Sequence, residues 1–459
     1  MFQRDRSQLF STDFCGLIVD EAEVLINAFA VSTNQPSKLG GPRVSYLAGT
    51  RHHHVGFKPS RHKLGIAVRA LSSTFRGMST GVPMRNSAAD AGSLLAMIRL
   101  SYGEAFFAVD GADVEGRKRV LGLVSVRRVR RSMAKWSDDH LEASDLQNFL
   151  IFHLISLAYS VLKQEEAAKD QARARARRGE GRDPGKVLKA LRERILQCIA
   201  YCRMASVAPL LLDADDLAAK FSIHVRQSDL ESVEQNPKLA RVLADVRSVL
   251  QADGAKQSVL VFCEFRALLQ AVERHLGSSG RGPLARIIDG STSAEERVAL
   301  VDEFQTGESF RVLCLGKAAG NGLNLQRASL VVLTSPWWNN AQDEQWVGRA
   351  DRKGQTKEVR VVTLFTRSFI EKCMVVLGSK KSDEIHQHVG GVNAHVRLRG
   401  DALVDDKTMM RGEDDGAGGE AKASETQVFR DFVDEMMQHW TAPERQEQLA
   451  VLTRRFQYI

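Results

Sequence analysis

Cysteine is scarce in this chain, with six residues among 459, and the six stand at scattered positions: 15, 198, 202, 263, 314 and 373. This spacing excludes the disulfide framework of a small secreted domain and predicts reduced thiols, several of them in apolar strands of the core. Cys198 and Cys202 have helical spacing. Because no further ligands accompany them, a core stripe is favoured over a zinc site.

Long apolar runs are also missing. The longest, FLIFHLISLAYSVL from Phe149, has about 14 residues, whereas a membrane-crossing helix needs roughly 20. This run predicts a buried helix. Since no signal-peptide pattern opens the sequence, we expect an intracellular protein without a membrane partner.

A third absence is the phosphate-binding loop GxxxxGKS or GxxxxGKT. The two GK pairs, GKVL at Gly185 and GKAA at Gly316, lack the upstream glycine pattern and the following hydroxyl that binds Mg²⁺. The sequence therefore offers no backbone cradle and lysine for the β and γ phosphates of a nucleotide.

The overall composition is that of a globular protein. With 43% hydrophobic and 26% charged residues, the chain is long enough for two or three domains with sizeable cores. The 64 basic and 56 acidic residues give a net charge of +8, which favours nucleic acid or another polyanion without requiring one.

The segment QWVGRADRKGQ, from Gln345 to Gln355, places Gln345, Arg349 and Arg352 at i, i+4 and i+7. On a helix these side chains lie along one face, so that an amide and two guanidinium groups point at one target, which we expect to be a phosphate. The residues predicted to start and close this helix are Asn339 or Asn340 and Gly354.

A second interpretation of the two arginines is structural. They could form a solvated surface or pair with Asp343 and Asp351 at helical spacing. The segments upstream favour the phosphate.

Repeated strand and helix signals precede this helix. Buried strands are predicted in SVLVFCEF, in RVLCL from Arg311 and in SLVVLTSPWWNN, and an N-capped helix is predicted to start near Thr292. In the loop GKAAGNGLNL, Gly320 and Gly322 permit close approach to a phosphate, and Asn324 offers an amide. These βα units predict one doubly wound domain over about 236–390.

These motifs in series resemble the C-terminal RecA-like lobe of Swi/Snf-type ATPases, the superfamily-two DNA translocases of chromatin remodelling and DNA repair. The family's sixth motif, QxxxRxxRxGQ, is matched from Gln345 to Gln355. Its fifth motif, AGGxGxNL, is similar to Ala318 to Leu325, with Ala319 replacing a glycine. The tryptophan pair in SPWWNN resembles the Rad-type repair branch.

Two earlier segments are similar to motifs of the same family. In CGLIVDEAEVL, Asp20 and Glu21 follow an apolar strand and resemble the DEAH box, whose carboxylates hold Mg²⁺ and orient a water. Taken alone, they could be two solvated acids at a strand end. The segment starting at Thr80 resembles the third motif, TGTPxxN, with Val82 replacing a threonine.

The resemblance implies roles for individual residues, with ATP and Mg²⁺ as cofactors. The implied catalytic residues are Asp20, Glu21, Arg349 and Arg352, of which Asp20 and Glu21 hold Mg²⁺; the nucleotide-binding residues are Gln345, Gly320, Gly322 and Asn324; the DNA-binding residues are Thr80 and Lys317.

The implied fold is α/β, with a RecA-like parallel sheet flanked by helices in a complete C-terminal lobe. The expected domains are a partial N-terminal RecA-like lobe (1–105), a helical protrusion and linker (106–235), the C-terminal helicase lobe (236–390), and a linker with a helical tail (391–459).

The implied function is ATP-dependent translocation on double-stranded DNA, in chromatin remodelling or DNA repair, and in the nucleus if the source is eukaryotic. Because the phosphate-binding loop is absent, we expect hydrolysis to need a missing N-terminal half, supplied by a separate chain. The alternative is a non-catalytic DNA-binding or regulatory remnant of such an ATPase.

Three further segments carry weaker signals. RHHHVGFKPSRHK, starting at Arg51, is expected to be a solvated loop, because adjacent histidines rarely converge on a metal. KDQARARARRGEGRDPGK, from Lys169, is expected to be a frayed insertion, with phosphate binding as the other possibility. An amphipathic segment from Thr426 to about Leu452 is a candidate docking element for a partner.

Overall fold

The computed structural model of the chain describes residues 132–178, 185–251, 257–279, 282–306, 310–317, 323–337, 340–352, 354–368, 370–376 and 443–456, together with shorter segments within 14–124 and 430–438. Its contacts divide the chain into two compact units, one formed mainly by residues 1–131 and the other by residues 132–338, 342–378 and 398–459. The expected domain boundaries stay predictions.

The first unit contains one parallel strand pair and one antiparallel sheet. Strands β1 (Phe14–Val19) and β5 (Ser73–Met78) pair in parallel and end in register, Val19 opposite Met78. Asp20, Glu21 and Thr80 follow these two strand ends but lie outside the described residues. The remaining elements are β2 (Phe29–Ser32), β3 (Arg43–Ala48), β4 (Arg51–Pro59) and the helix α1 (Val114–Val124).

The histidine-rich segment of this unit is a strand, so the prediction of a loop was wrong. His52, His53 and His54 lie in β4, which pairs with β2 on one side and β3 on the other. The backbone hydrogen bonds of the two ladders hold β4 extended, and the composition of the segment alone does not reveal these partners.

The second unit is built on a six-stranded sheet in which all neighbouring strands are parallel. The strand order is β10, β11, β7, β12, β13, β6. The strands are β6 (Ala134–Leu141), β7 (Ser258–Phe262), β10 (Ala285–Ile288), β11 (Val312–Leu315), β12 (Ala328–Leu333) and β13 (Val359–Thr366); a short hairpin is formed by β8 (Ser278–Ser279) and β9 (Gly282–Pro283). The predicted buried strands β7, β11 and β12 are confirmed.

Helices cover both faces of this sheet, which confirms the α/β fold expected from the sequence. Along β7, Val259 and Val261 belong to the core on one face, whereas Leu260 and Phe262 belong to the core on the other. All four side chains are fully buried, as in parallel sheets with two covered faces. The helices of this unit are α2 (Asp145–Arg177), α3 (Gly185–Val207), α4 (Ala214–Phe221), α5 (Gln227–Glu231), α6 (Pro237–Gln251), α7 (Arg266–Leu276), α8 (Ala294–Thr306), α9 (Asn340–Val347) and α10 (Pro443–Phe456).

One edge strand comes from the segment that was expected to be helical. β6 pairs along its whole length with β13, from Ala134 opposite Val359 to Leu141 opposite Thr366. Its sequence, AKWSDDHL, is too polar to predict a buried strand, and its other edge has no partner in the sheet order. An edge strand needs fewer apolar side chains because one side of it meets water.

The apolar run from Phe149 lies in α2, as predicted. Its buried side chains, among them Phe149, Leu150 and Leu154, share one core with those of α3. By length and composition the span Asp145–Arg175 could also cross a membrane, but 56% of its most apolar window is buried inside the protein. The reduced Cys198 and Cys202 belong to the same core, which confirms the core stripe.

One expectation about a peripheral segment was wrong. The basic run is not frayed through its first half, because α2 continues to Arg177. The C-terminal segment docks on its own chain: Phe456 of α10 lies 6.0 Å from Phe149, ring centre to ring centre, and Arg455 pairs with Asp145 at 2.5 Å. The contacts of α10 join residues distant in the chain, and docking of this segment on a partner stays a prediction.

A fully buried ion pair joins two elements of the second unit. Lys238 of α6 contacts Glu371, and both side chains have no exposed surface. The second carboxylate oxygen of Glu371 accepts a hydrogen bond from the backbone N–H of Thr366, at the end of β13, at 2.6 Å. Burial raises the pKa of Glu371 and lowers the pKa of Lys238. The charge of each residue opposes the shift of the other.

Replacement of Lys238 by methionine is expected to destabilise the chain by about 3 to 5 kcal/mol, because it leaves the Glu371 carboxylate buried without its cation. The double variant K238M/E371M should recover most of this loss, since no charge is then left buried. Urea unfolding followed by tryptophan fluorescence measures both. Equal losses for the single and double variants would contradict the ion-pair argument.

Candidate functional site

The predicted arginine helix ends earlier than its spacing indicated. Helix α9 stops at Val347, and the next backbone bonds tighten: Arg349 N–H donates to the Trp346 carbonyl at 3.1 Å and Ala350 N–H to the Val347 carbonyl at 3.0 Å. Arg349 and Arg352 therefore lie in a turn after the helix. The prediction that they share a helix face with Gln345 was wrong.

The carbonyl groups of this turn accept hydrogen bonds from outside the helix. The Arg349 carbonyl accepts a hydrogen bond from Leu325 N–H at 2.9 Å, and the Ala350 carbonyl accepts from the side chain of Gln355 at 3.0 Å. A continuing helix would need both carbonyls for its own bonds. Gly348 also weakens the helix at this point.

These contacts join the turn to the end of the glycine loop. One terminal nitrogen of Arg352, Nη1, donates to the Leu323 carbonyl at 3.2 Å, and Leu325 N–H donates to Arg349. Asn324, between the two, is exposed, and its carbonyl accepts from Gln305 Nε2 at 2.6 Å. The structure thus brings Asn324, Arg349 and Arg352 together, whereas Gly320 and Gly322 lie outside the described residues.

Gln355 is a second connection between the same segments. Its amide nitrogen donates to the Gln326 carbonyl at 2.8 Å, and its amide oxygen accepts from Lys357 N–H at 3.0 Å. Gly354, just before it, has φ +100°, a conformation that L side chains rarely adopt. Gly354 therefore closes the turn, seven residues beyond the helix it was expected to close.

Asp351 fixes the turn to the start of the edge strand. Its carboxylate accepts hydrogen bonds from Ser132 Oγ at 2.6 Å and from Met133 N–H at 3.1 Å. Asp343 lies in the first turn of α9, but its side chain is fully buried and does not face solvent. Gln345 stands within α9, where its side-chain oxygen accepts from Gln342 at 3.1 Å.

The arginines predicted to act on ATP and the lysine predicted to bind DNA lie at opposite ends of the parallel strands. We call these two ends the amino edge and the carboxyl edge of the sheet. Arg349 contacts Leu325, which precedes β12, so the arginine turn lies at the amino edge of the parallel strands. Lys317 comes two residues after β11 ends, at the carboxyl edge. The structure therefore separates Lys317 from Arg349 and Arg352.

At the carboxyl edge, Lys317 belongs to a cluster that the sequence did not predict. Its exposed ammonium lies 4.9 Å from the centre of the half-buried Trp337 ring, and the guanidinium carbon of Arg203 lies 4.9 Å from the same centre. Both distances suit cation–π attraction. The sequence singled out Lys317 and the tryptophan pair but not Arg203, which lies on α3, 134 positions before Trp337.

Arg203 also forms an ion pair with Glu264, which follows β7. The side chains are 13% and 11% exposed. Burial raises the pKa of Glu264, and the charges of Arg203 and Lys317 oppose that shift. Burial lowers the pKa of Arg203, and Glu264 opposes the shift.

Aromatic contacts hold Trp337 in place. Its ring lies 5.7 Å from the ring of Trp346 in an edge-to-face arrangement, and Trp346 stacks on Phe262, the last residue of β7, at 5.1 Å. The platform under Lys317 is therefore anchored in the core of the sheet.

Among the residues described with side chains, no group of three or more His, Cys, Asp or Glu could hold a metal ion. The carboxylates expected to hold Mg²⁺, Asp20 and Glu21, lie outside that part of the chain. What the described site offers is cationic: guanidinium groups and an ammonium, which suit phosphate oxygens.

Replacement of Arg203 by methionine should destabilise the chain more at pH 8 than at pH 5. A carboxyl group with a raised folded pKa contributes stability that is present at low pH and lost as the pH rises through that pKa. Removal of Arg203 raises the pKa of Glu264 further. The stability lost at high pH therefore becomes larger. Urea unfolding at both pH values measures this difference.

The control is R203M/E264Q, which should show no such pH difference because nothing is left to titrate at position 264. If R203M lowered the free energy of unfolding equally at pH 5 and pH 8, Glu264 would not be the group that Arg203 stabilises.

Comparison with known proteins identifies the family. Residues 237–354 match the model of the helicase conserved C-terminal domain. The chain is 33% identical, over 34% of its length and 18% of the other, to a putative SWI/SNF-related matrix-associated actin-dependent regulator of chromatin subfamily A member 3-like 1 of Arabidopsis thaliana. It is 30% identical to the DNA repair protein rad5 of Neurospora crassa, over 41% of this chain and 16% of that protein.

Another relative matches far more of the chain. The TATA-binding protein-associated factor 172 of Homo sapiens is 26% identical over 81% of this chain and 22% of its own length. The C-terminal part of the Fun30 ATPase domain covers 53% of this chain and 89% of that structure, at 21% identity and a TM-score of 0.39, which is too low to support an argument. The chain spans between 10% and 22% of the curated relatives it matches. These comparisons confirm the resemblance expected from the motifs: the matched domain and the relatives are those of Swi/Snf-type, superfamily-two helicase-like proteins.

Proposed function

We propose that this chain contributes the second lobe of an ATP-driven translocase on double-stranded DNA, of the chromatin-remodelling or DNA-repair type. In this proposal the two edges of the six-stranded sheet have different ligands. The amino edge meets the phosphates of ATP, and the carboxyl edge meets the phosphates of DNA. The names of the relatives support this assignment, as does the chemistry of each edge.

The observation that carries the proposal is the bonded junction between the arginine turn and the glycine loop. Leu325 N–H bonds Arg349, and Arg352 bonds the Leu323 carbonyl, so the two guanidinium groups are carried on a backbone fixed at both ends. Preorganised cations cost little reorganisation when charge develops on a transferring phosphoryl group. Arg349 and Arg352 are therefore suited to that task.

The acids proposed to hold Mg²⁺ belong to the first unit. Asp20 and Glu21, which follow β1, would hold Mg²⁺, which neutralises charge on the phosphates. The phosphate-binding loop itself comes from a segment with GxxxxGKS or GxxxxGKT, a motif that this sequence does not contain. That segment belongs, in this proposal, to the N-terminal half of the motor or to a separate chain.

At the carboxyl edge, Lys317 is suited to bind the DNA backbone. Its ammonium is exposed and is held against Trp337. A point charge of this kind recognises phosphate and not base sequence, so binding is salt-sensitive and sequence-independent. Thr80, which follows β5 in the first unit, is the second proposed DNA contact.

ATP hydrolysis tests the arginine turn. The full chain is fused behind a Swi/Snf-type first lobe that carries GxxxxGKT, and turnover is measured with duplex DNA. R349A and R352A should each lower kcat at least about a hundredfold, because an arginine that stabilises the transition state contributes roughly 10³-fold to 10⁵-fold.

The matched control is R360A, which removes an exposed arginine from β13. It should leave kcat unchanged. If R349A and R352A had the same kcat as R360A, the catalytic role proposed for the two arginines would be excluded. Robust hydrolysis by the unfused chain would refute the need for a missing half. DNA binding without hydrolysis in the fusion would favour a non-catalytic regulatory module.

DNA binding tests the carboxyl edge. K317A should weaken the binding of a fluorescent duplex and lower the slope of log Kd against log salt concentration by about 0.9, the value for one lost phosphate contact. K357A is the control, because Lys357 is an exposed lysine near the opposite edge. Identical slopes for K317A and K357A would exclude Lys317 as a DNA contact.

A further inference from the structure

The far end of the α2–α3 hairpin projects beyond the apolar core. Helix α2 has 33 residues, about 50 Å, yet its last buried apolar side chain is Leu162. On α3 the first buried apolar side chain is Ile195. About 15 residues of α2 thus extend from the core without contributing a buried apolar side chain among the described residues.

The register of the hairpin follows from one contact. Arg192 Nε of α3 donates to Glu165 Oε1 of α2 at 3.0 Å. Because the helices run antiparallel with equal rise, Lys186 lies opposite about residue 171 of α2. The first turn of α3 is therefore next to the last turns of α2.

Along helix α2 the charges of this projection are segregated. Its acids come first and are already neutralised: Glu165 binds Lys169, Arg192 and Arg430, and Asp170 binds Arg173. Beyond Asp170 helix α2 carries no acid. We name as the hairpin tip the exposed cations that lie beyond these pairs: Arg175, Arg177, Arg178 and Lys186.

Helix stability does not account for the tip. Arg175 and Arg177, in the last turn of α2, favour its dipole, but Lys186 stands in the first turn of α3, which has no acid and where a cation opposes the dipole. Among the described residues no carboxylate pairs with Arg175, Arg177 or Lys186. The tip therefore concentrates like charges that repel each other in the free protein.

We infer that the hairpin tip is a second binding site for duplex DNA, distinct from the carboxyl edge of the sheet. The inference rests on the proposed function, which supplies a duplex as the polyanion. Arginine forks bind phosphate oxygens through paired hydrogen bonds, and a bound backbone relieves the repulsion among Arg175, Arg177 and Arg178. The contact is indifferent to sequence.

The test is duplex binding by the full chain as a function of salt, measured by fluorescence anisotropy. R175Q/R177Q/R178Q should weaken binding and lower the log–log salt slope by up to about 2.7, at about 0.9 per lost phosphate contact. Circular dichroism should show an unchanged helix content, because these side chains are exposed.

The control is K163Q/K220Q/R455Q. It removes the same three charges from the same helical bundle, at cations that already pair with Glu166, Asp216 and Asp145. For the control, the slope of log Kd against log salt concentration should equal that of the wild type. Equal effects of the two triple variants would overturn the inference, because only net charge would then matter.

Two further arms separate the possible failures. If K317A weakens binding and the tip variant does not, the tip inference fails and the proposed function stands. If the tip variant weakens binding and K317A does not, the tip is a DNA site and the carboxyl-edge assignment fails. Displacement of the duplex from the tip by polyglutamate at equal charge concentration would show a site for acidic polypeptides instead.

Discussion

The hydrogen bonds that the arginine turn accepts from elsewhere in the chain determine the character of this site. Helix α9 ends at Val347, the Arg349 carbonyl is bound to Leu325 N–H, and both arginines lie off the helical face that their spacing indicated. The same bonds fix the end of the glycine loop. The two segments proposed to bind phosphate are thus joined in one element, and preorganised groups of this kind suit the stabilisation of charge on a reacting phosphoryl group.

The parallel sheet sets the second constraint. When all strands run in one direction, the segments after them collect at one edge and the segments before them at the other. Lys317 and Trp337 follow strands, whereas Leu325 and Arg349 lie close to strand starts. The proposed contacts with ATP and with DNA are therefore separated by the length of the strands.

Buried charges tie the helical elements to that sheet. Arg203 of α3 reaches Glu264 after β7, and Lys238 of α6 reaches Glu371 after β13. Such pairs add little net stability over apolar side chains, but breaking one is costly, so they fix where the helices sit. The position of α3 fixes in turn the direction of the hairpin whose tip carries the unneutralised arginines.

The sequence by itself determined the family, the buried strands β7, β11 and β12, and the α/β class, because apolar runs and motif spacing are local properties of the chain. It also indicated the long helix from Phe149 and the reduced core cysteines. The tertiary structure alone decided the end of α9, the pairing of β6, the strand at His52 to His54 and the partners of Arg203. The pairing of β6 and the partners of Arg203 depend on hydrogen bonds or ion pairs between residues distant in the chain, as does the bond from Ser132 to Asp351, and no local pattern encodes such partners.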